Sequence, residues 1–210
     1  MHIVDGALSH PVVIGGAVLA VAGIAKGLRE LDMERIPAAG VLSATFFVAA
    51  LVHVPIGPSS VHLIMNGLAG IVLGWAAFPA LFVGLLLQAV FFGFGGITVL
   101  GVNTLAIALP AVAVHYLCRS GIRSERIGVA AVWAGLAGGF AIAMTAALVA
   151  FALTLSGQHY LVAAKLVFFA HLPIMAIEAM LCVAAVTLIR QVKPELFGVF
   201  DEPVVRSGDA

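Results

Sequence analysis

Charge is what this chain has least of. Between Ile36 and Cys118 there is no Asp, Glu, Lys or Arg, a run of 83 residues. Across all 210 residues, 63% are hydrophobic and 10% charged, far from the soluble norm. A water-soluble globular domain is excluded by those figures, and several membrane crossings of roughly 20 residues each are predicted. Strands of a membrane β-barrel alternate polar and apolar residues over segments of about 10, and this chain shows no such alternation. The fold class expected is therefore an all-α polytopic membrane protein, one integral membrane domain over residues 1–210. The net charge is zero, so bulk electrostatics offers no nucleic-acid partner. Cysteine is scarce too: Cys118 and Cys182 lack a Cys-x-x-Cys spacing and read as small apolar packing residues. The chain has no Gly-x-x-x-x-Gly-Lys loop to hold a nucleotide. Energy for any transport would come from another chain.

The hydrophobic runs predict about seven spans, at residues 11–27, 36–54, 62–75, 79–92, 103–118, 129–155 and 172–189, with an extra interfacial helix over 159–170. Several are short for a full crossing, so tilted or broken helices are expected, as tolerated where backbone is buried in protein or lines a cavity. Seven spans put Lys26, Arg29, Arg35, Arg119, Arg123, Arg126, Arg190, Lys193 and Arg206 on one side and leave Lys165 on the other. The positive-inside rule then places the C-terminal tail, residues 190–210, in the cytoplasm and the N-terminus outside. With no basic region before the first apolar run, no signal peptide is expected, and the bulky His2 should protect Met1 from removal.

What little polarity there is concentrates at telling places. The chain opens Met1-His2-Ile3-Val4-Asp5-Gly6. The Met1 amine, the His2 backbone nitrogen and the His2 ring can close two chelate rings on one ion. Three coplanar nitrogens suit a tetragonal ion such as Ni(II) or Cu(II) and tolerate Co(II). A fourth nitrogen is offered by His62, at the end of the external loop 55–62, where two prolines and a glycine argue against helix. His62 is expected at a helix start, with Ser59 or Ser60 as its cap. The alternative for His62 is a purely structural hydrogen bond within the loop.

These residues carry a resemblance. The opening Met1-His2-Ile3-x-Asp5-Gly6, then Ser59-Ser60-Val61-His62-Leu63, Gly67-Leu68-x-Gly70 and the run from Gln88 through Gly95-Gly96-Ile97-Thr98 to Asn103 resemble the CbiM/NikM family. His171-Leu172-Pro173 and Glu178 match more loosely. That family comprises the substrate-capture components of energy-coupling factor transporters for cobalt and nickel. The resemblance implies a divalent Co(II) or Ni(II) cargo held by Met1, His2 and His62, with no cofactor and no enzymatic activity. It also implies a transmembrane coupling subunit, cytoplasmic ATPase subunits, often a small accessory membrane subunit, and a place in a bacterial or archaeal cytoplasmic membrane. Cobalt uptake for cobalamin synthesis is slightly favoured by the family, while nickel is equally allowed by the ligands. The chain departs from many members in having Ile64-Met65-Asn66-Gly67 where a glycine-rich stretch often follows the loop histidine, and in Val4.

The remaining polar residues have weaker readings. Asp5 either fixes the His2 tautomer or caps the first helix. His53, near the outer end of the second span, is a candidate neighbour of the ion's ligands. Gln88 should reach the Gly95-Gly96 turn or a ligand histidine, and Asn103 should anchor that turn. His171 and Glu178, seven residues apart, share nearly one helix face, and an intramembrane Glu is a functional candidate by default. Gly135-x-x-Gly138-Gly139 reads as a helix contact surface. Two rival functions remain: a stand-alone secondary metal permease using His171 and Glu178, and an intramembrane enzyme. The second is disfavoured because no His-Glu-x-x-His occurs and Asp5, Asp32, Asp201 and Asp209 all fall outside the predicted spans.

Overall fold

Apolar runs interrupted by glycine and proline become helices of very unequal length. In the computed structural model, which describes residues 2–51, 53–56, 59–157, 160–193 and 197, eight helices follow in order. They are α1 (His10–Arg29), α2 (Ile36–Ala49), α3 (Asn66–Leu73), α4 (Ala77–Phe92), α5 (Leu100–Ile122), α6 (Ile127–Ser156), α7 (Leu161–Ala170) and α8 (Leu172–Val192). A short antiparallel hairpin, β1 (His53–Ile56) and β2 (Ser59–His62), joins α2 to α3 and pairs His53 with His62. Five stretches are long and apolar enough to cross a membrane: His10–Arg29, Asn66–Phe92, Leu100–Ile122, Ile127–Ser156 and Leu161–Val192. The chain is a multi-pass membrane protein.

Three expectations change. Residues 36–54 were expected as one span, yet α2 stops at Ala49 and His53 already lies in β1. His62 is the last residue of β2 and starts no helix; α3 begins four residues later, so neither Ser59 nor Ser60 caps it. The residue before α3 is Met65, the one non-glycine with positive φ among the described residues, at 57°. Finally, the helix expected over 159–170 does not stand apart from the one after it. It continues into α8 through a single joint at His171, and both lie along α6. His159 is outside the described residues.

The direction of each helix follows from its neighbours. Gly16 of α1 abuts Val102 at the start of α5, while Gly27 near the end of α1 abuts the Trp75 carbonyl ahead of α4. Asn66, at the start of α3, donates to the Ile107 carbonyl, and Gly70 lies against the Ala111 backbone. Thus α3 begins partway along α5 and runs beside it, and the extended chain before α3 reaches into the bundle. Gly74, with φ of 58°, then turns the chain into α4. A Cβ on Gly67 would sit 2.8 Å from Gly138 Cα, and one on Gly138 would sit 2.6 Å from the Glu178 carbonyl. Here α3, α6 and α8 approach backbone to backbone, as membrane helices do through small residues.

The two ends differ chemically. Arg35, Arg119 and Arg123 line one 230 Å³ cavity with Glu30, and Arg190 donates to the Ile122 carbonyl nearby. Lys26 pairs with Glu30 at 3.9 Å and lies 4.0 Å over the Trp75 ring, whose indole N–H donates to the Tyr116 hydroxyl at 3.0 Å. Arg206 lies outside the described residues. At the opposite end the Ser9 N–H meets the Ser156 hydroxyl, and the first residues of the chain tuck inside. Between the ends, helix flanks such as Val18, Val21, Phe91 and Phe140 stay exposed, as lipid-facing positions should. Cys118 and Cys182 are free and buried in the packing.

Candidate functional site

A segment of nine residues before α1 cannot fold by itself, so the bundle supplies its partners. The Asn103 side chain grips Ile3 at two points, accepting its N–H at 2.9 Å and donating to its carbonyl at 3.1 Å. A side-chain amide thus imitates one rung of a β-ladder. The Asp5 N–H donates to the Gly95 carbonyl at 2.8 Å, and the Asp5 carboxylate accepts from the Thr98 N–H at 3.2 Å and hydroxyl at 2.5 Å. The Gly95-Gly96 turn makes this possible. Its φ values are 77° and 120°, and a Cβ on Gly96 would collide with the Asp5 carboxylate. Ile3, fully buried, plugs the end of the core.

This docking carries His2 into contact with β2. His2 and His62 are 3% and 2% exposed, with rings stacked at 4.6 Å. Each ring is fixed by an oxygen that can only accept. Gln88 Oε1 lies 2.7 Å from His2 Nε2, so that nitrogen carries the proton. The Leu63 carbonyl lies 2.7 Å from His62 Nδ1, so the proton of His62 is there. The two remaining ring nitrogens, His2 Nδ1 and His62 Nε2, face one another at 3.1 Å. In these tautomers both present lone pairs and neither has a proton for the other. Burial pushes both imidazoles down to about 4, so both are neutral at ordinary pH. The His2 backbone N–H points at Ser60 Oγ, 3.4 Å away.

Two facing imidazole lone pairs are a binding element for a cation. With metal–nitrogen bonds of about 2.05 Å, cis nitrogens at 90° sit about 2.9 Å apart. The observed 3.1 Å is close to that spacing. His2 Nδ1 is also the ring nitrogen that closes a six-membered chelate with the His2 backbone nitrogen. Among the described residues no group of three or more His, Cys, Asp and Glu forms a metal cluster, and Met1 lies outside them.

The other sequence candidates separate. Gln88 reaches the His2 ring, as one of its two expected partners, and its amide N–H groups lean on the Phe46 and Phe47 carbonyls. Asn103 anchors the extended N-terminal segment rather than the turn itself. Asp5 neither touches the His2 ring nor caps α1; it ties the segment to Thr98. His53 stands opposite His62 in the hairpin, but its ring makes no hydrogen bond to either histidine ring; it packs edge-on against Phe94 at 4.2 Å, and Phe94 in turn lies beside the His2 ring. His171 and Glu178 are both fully buried but share no hydrogen bond. The Glu178 carboxyl instead accepts the Ile64 and Met65 N–H groups at 2.5 and 2.8 Å. Thr98 escaped the sequence reading as a partner of the N-terminal segment, for it is an ordinary threonine in a glycine-rich loop.

The bundle thus folds its own N-terminal segment inward until His2 meets His62. Residues 2–196 match the family described as CbiM, cobalt uptake substrate-specific transmembrane region. A protein described as a metal transport protein of Haemophilus influenzae is 45% identical over 198 residues, covering 93% of this chain and 96% of that one. The fused nickel transport protein NikMN of Rhodobacter capsulatus is 39% identical over 160 residues, 70% of this chain and 46% of that one. The cobalt transport protein CbiM of Sorangium cellulosum is 29% identical over 180 residues, 80% of this chain and 78% of that one. A crystal structure of a transition metal transporter shares the fold, with a TM-score of 0.71 at 24% identity over 91% of this chain and 93% of the other. The chain belongs to the CbiM family of cobalt-uptake transmembrane components. It is a non-enzymatic metal-uptake component of the cell membrane.

Proposed function

We propose that the chain captures one divalent cobalt or nickel ion through four nitrogens: the Met1 amine, the His2 backbone nitrogen, His2 Nδ1 and His62 Nε2. The observation that carries this reading is the pair of facing lone pairs 3.1 Å apart, each fixed by an acceptor behind it. Loading displaces the Met1 ammonium proton and the His2 amide proton, and Ser60 Oγ stands where the latter leaves. Asn103, Asp5, Gln88 and Ser60 hold the two ligand-bearing segments in register. His53 shapes the wall through Phe94.

In this reading the ion arrives at the end of the bundle opposite the basic cavity, from outside the cell, and the arginine-rich end faces the cytoplasm. Residues 1–10 form the external chelating segment and 190–210 the cytoplasmic tail. The chain works within an energy-coupling factor importer, with a transmembrane coupling subunit, cytoplasmic ATPase subunits and a small accessory membrane subunit. Three relatives are named as fused nickel transport proteins and extend well beyond the length matched here, as expected where a further module is joined to this one. Cobalt uptake for cobalamin synthesis is the favoured role, and nickel fits the same nitrogens.

The test is metal binding by purified protein with a native N-terminus, beside a variant with one residue added before Met1. The extension keeps every side chain and converts the Met1 amine to an amide. Binding of Co(II) or Ni(II) should fall at least a hundredfold, as it should in His62→Ala. An extended protein that binds as tightly as the native one refutes the chelate.

A further inference from the structure

The arginines gather more closely than topology asks. Basic residues belong at one end of a membrane protein by the positive-inside rule, and the negative end of a helix dipole attracts them. Neither effect requires them to face one another, and like charges held together repel. Yet Arg119 and Arg123, one turn apart at the end of α5, and Arg35, just ahead of α2, line a single cavity of 230 Å³. Among the described residues Glu30 is the one carboxylate lining it, and Glu30 is engaged with Lys26 at 3.9 Å. No other ion pair occurs among the described residues. Arg190 of α8 adds a fourth guanidinium at the carbonyl of Ile122, which also lines the cavity. Positive charge therefore converges on this space from three segments, and no described carboxylate pairs with it.

The rest of the lining is mixed. The Tyr116 hydroxyl accepts the Trp75 indole N–H, so its own proton stays available to an acceptor. His115 donates its Nδ1–H to the Gly70 carbonyl at 3.0 Å, which leaves Nε2 as an acceptor. Ile71, Val72 and the buried Phe197 supply apolar wall. Leu28, Met33, Ile36 and Leu117, each within two residues of one that lines the cavity, are exposed. The Trp75–Tyr116 pair with Lys26 over the indole is the kind of cluster found where a bilayer meets water. A cavity open to water alone would leave that apolar surface bare. At headgroup depth, lipid covers it.

We infer that the cavity lined by Arg35, Arg119 and Arg123 binds the phosphate of an anionic membrane lipid. Guanidinium groups match phosphate oxygens in charge and in their paired N–H geometry, and basic pockets between membrane helices hold anionic headgroups. The Tyr116 hydroxyl adds a donor. His115 Nε2 and the Glu30 carboxylate accept from headgroup hydroxyls, which suits a glycerol headgroup such as that of phosphatidylglycerol. The acyl chains lie along the exposed apolar side chains nearby. A lipid seated there ties the turn before α2 to the end of α5 and relieves the repulsion between them. The inference is independent of the ion chelate at the opposite end of the bundle.

The experiment titrates purified, delipidated full chain in neutral detergent with dioleoylphosphatidylglycerol, dioleoylphosphatidylcholine or inorganic phosphate, and counts bound lipid by native mass spectrometry. One phosphatidylglycerol per chain should bind at least tenfold more tightly than phosphatidylcholine, and should raise the unfolding temperature by several degrees. Inorganic phosphate at the same concentration should do neither. Joint replacement Arg119→Gln and Arg123→Gln should erase the tenfold preference, with helix content unchanged and Co(II) binding within threefold of native. Arg35→Gln, on a separate segment, should weaken the lipid at least threefold, and it decides the matter if the double variant loses helix content. Four results overturn the proposal. They are equal binding of the two lipids, a preference that survives both sets of arginine variants, inorganic phosphate stabilising as well as the lipid, and lipid binding that appears only when Asp201→Asn and Glu202→Gln neutralise the acidic pair of the C-terminal tail. The last would make the chain's own tail the native occupant.

Discussion

Replacing Gln88 by methionine keeps the volume and apolar packing of the side chain but removes the acceptor behind His2 Nε2. In the native site that acceptor, 2.7 Å away, keeps the proton on Nε2 and the lone pair on Nδ1. Without it the other tautomer becomes available. A proton on Nδ1 would then donate to the His62 Nε2 lone pair, which already lies 3.1 Å away. The empty site gains a hydrogen bond that loading must break, worth about 1 kcal/mol net. The loaded site loses a bond from an imidazole N–H made more acidic by the ion, worth about 1.5 kcal/mol or more. Together these predict about 2.5 kcal/mol, or roughly a 60-fold weaker dissociation constant, within the range found for groups that orient metal-ligating histidines.

The assay is competition with a chelator of known affinity for Ni(II) or Co(II), in detergent, at neutral pH. Nitrogen-15 shifts of the His2 ring should report the tautomer directly and show the proton moving from Nε2 to Nδ1 in the metal-free variant. Gln88→Glu retains an acceptor at the same position and should bind within a few-fold of the native protein. If Gln88→Met binds within threefold of native while His62→Ala abolishes binding, the tautomer argument is wrong.

Asn103→Ala removes both bonds to Ile3 and leaves a buried N–H and carbonyl, each costing about 1–3 kcal/mol; hydrogen exchange at the N-terminal segment should rise at least tenfold. Acidification should undock the same segment. Its His2 titrates near 4 when docked and near 6.5 when free, so between those values the free segment holds more protons. Docking then weakens by about 1.4 kcal/mol per pH unit as pH falls from 6.5, and levels off near 4; exchange measured across that window checks it. Gly70→Ala would drive a methyl into the Ala111 backbone carbonyl, so its unfolding temperature should drop by several degrees while His2 and His62, on the other side of the Glu178 clamp, keep their tautomers.

Much of this architecture is legible in composition, because uncharged runs and basic clusters obey the membrane directly. The histidine pair is legible as well. The sequence reading paired His2 with His62 as ligands of one ion, and the fold brings those two rings together. What failed was local geometry in the loop. Hydropathy continues through Leu51 and Val54, so nothing in it marks the end of α2 at Ala49. The hairpin owes its existence to the partner strand Ser59–His62, a nonlocal fact. The role of Asp5 was misjudged for a similar reason. Sequence distance favours its own helix or its neighbour His2, while the fold delivers Thr98 from 93 residues away. Apolar continuity also hides that α7 runs on into α8 through a joint at His171.

The physical reason for a strand-like site inside a helical bundle lies in the backbone. A helix consumes its own N–H and C=O groups, so it can neither present a backbone nitrogen to an ion nor let a chain terminus approach closely. Extended chain can do both, but in a membrane each exposed backbone group costs several kcal/mol. Side-chain amides resolve the conflict. Asn103 stands in for a neighbouring strand at Ile3, and Glu178 takes the two N–H groups that precede α3. Gly95 and Gly96 remove the side chains that would block the segment. The expected consequence is asymmetric. Substitutions at Asn103, Gly95 and Gly96 should abolish docking of the N-terminal segment without unfolding the bundle, because α5, α6 and α8 bury their own core. Helix content by circular dichroism should stay near native in Asn103→Ala and Gly96→Ala, while ion binding falls with the loss of docking. A variant that lost helix content in step with ion binding would show that the N-terminal segment is part of the folding core, and that the site cannot be loosened independently of it.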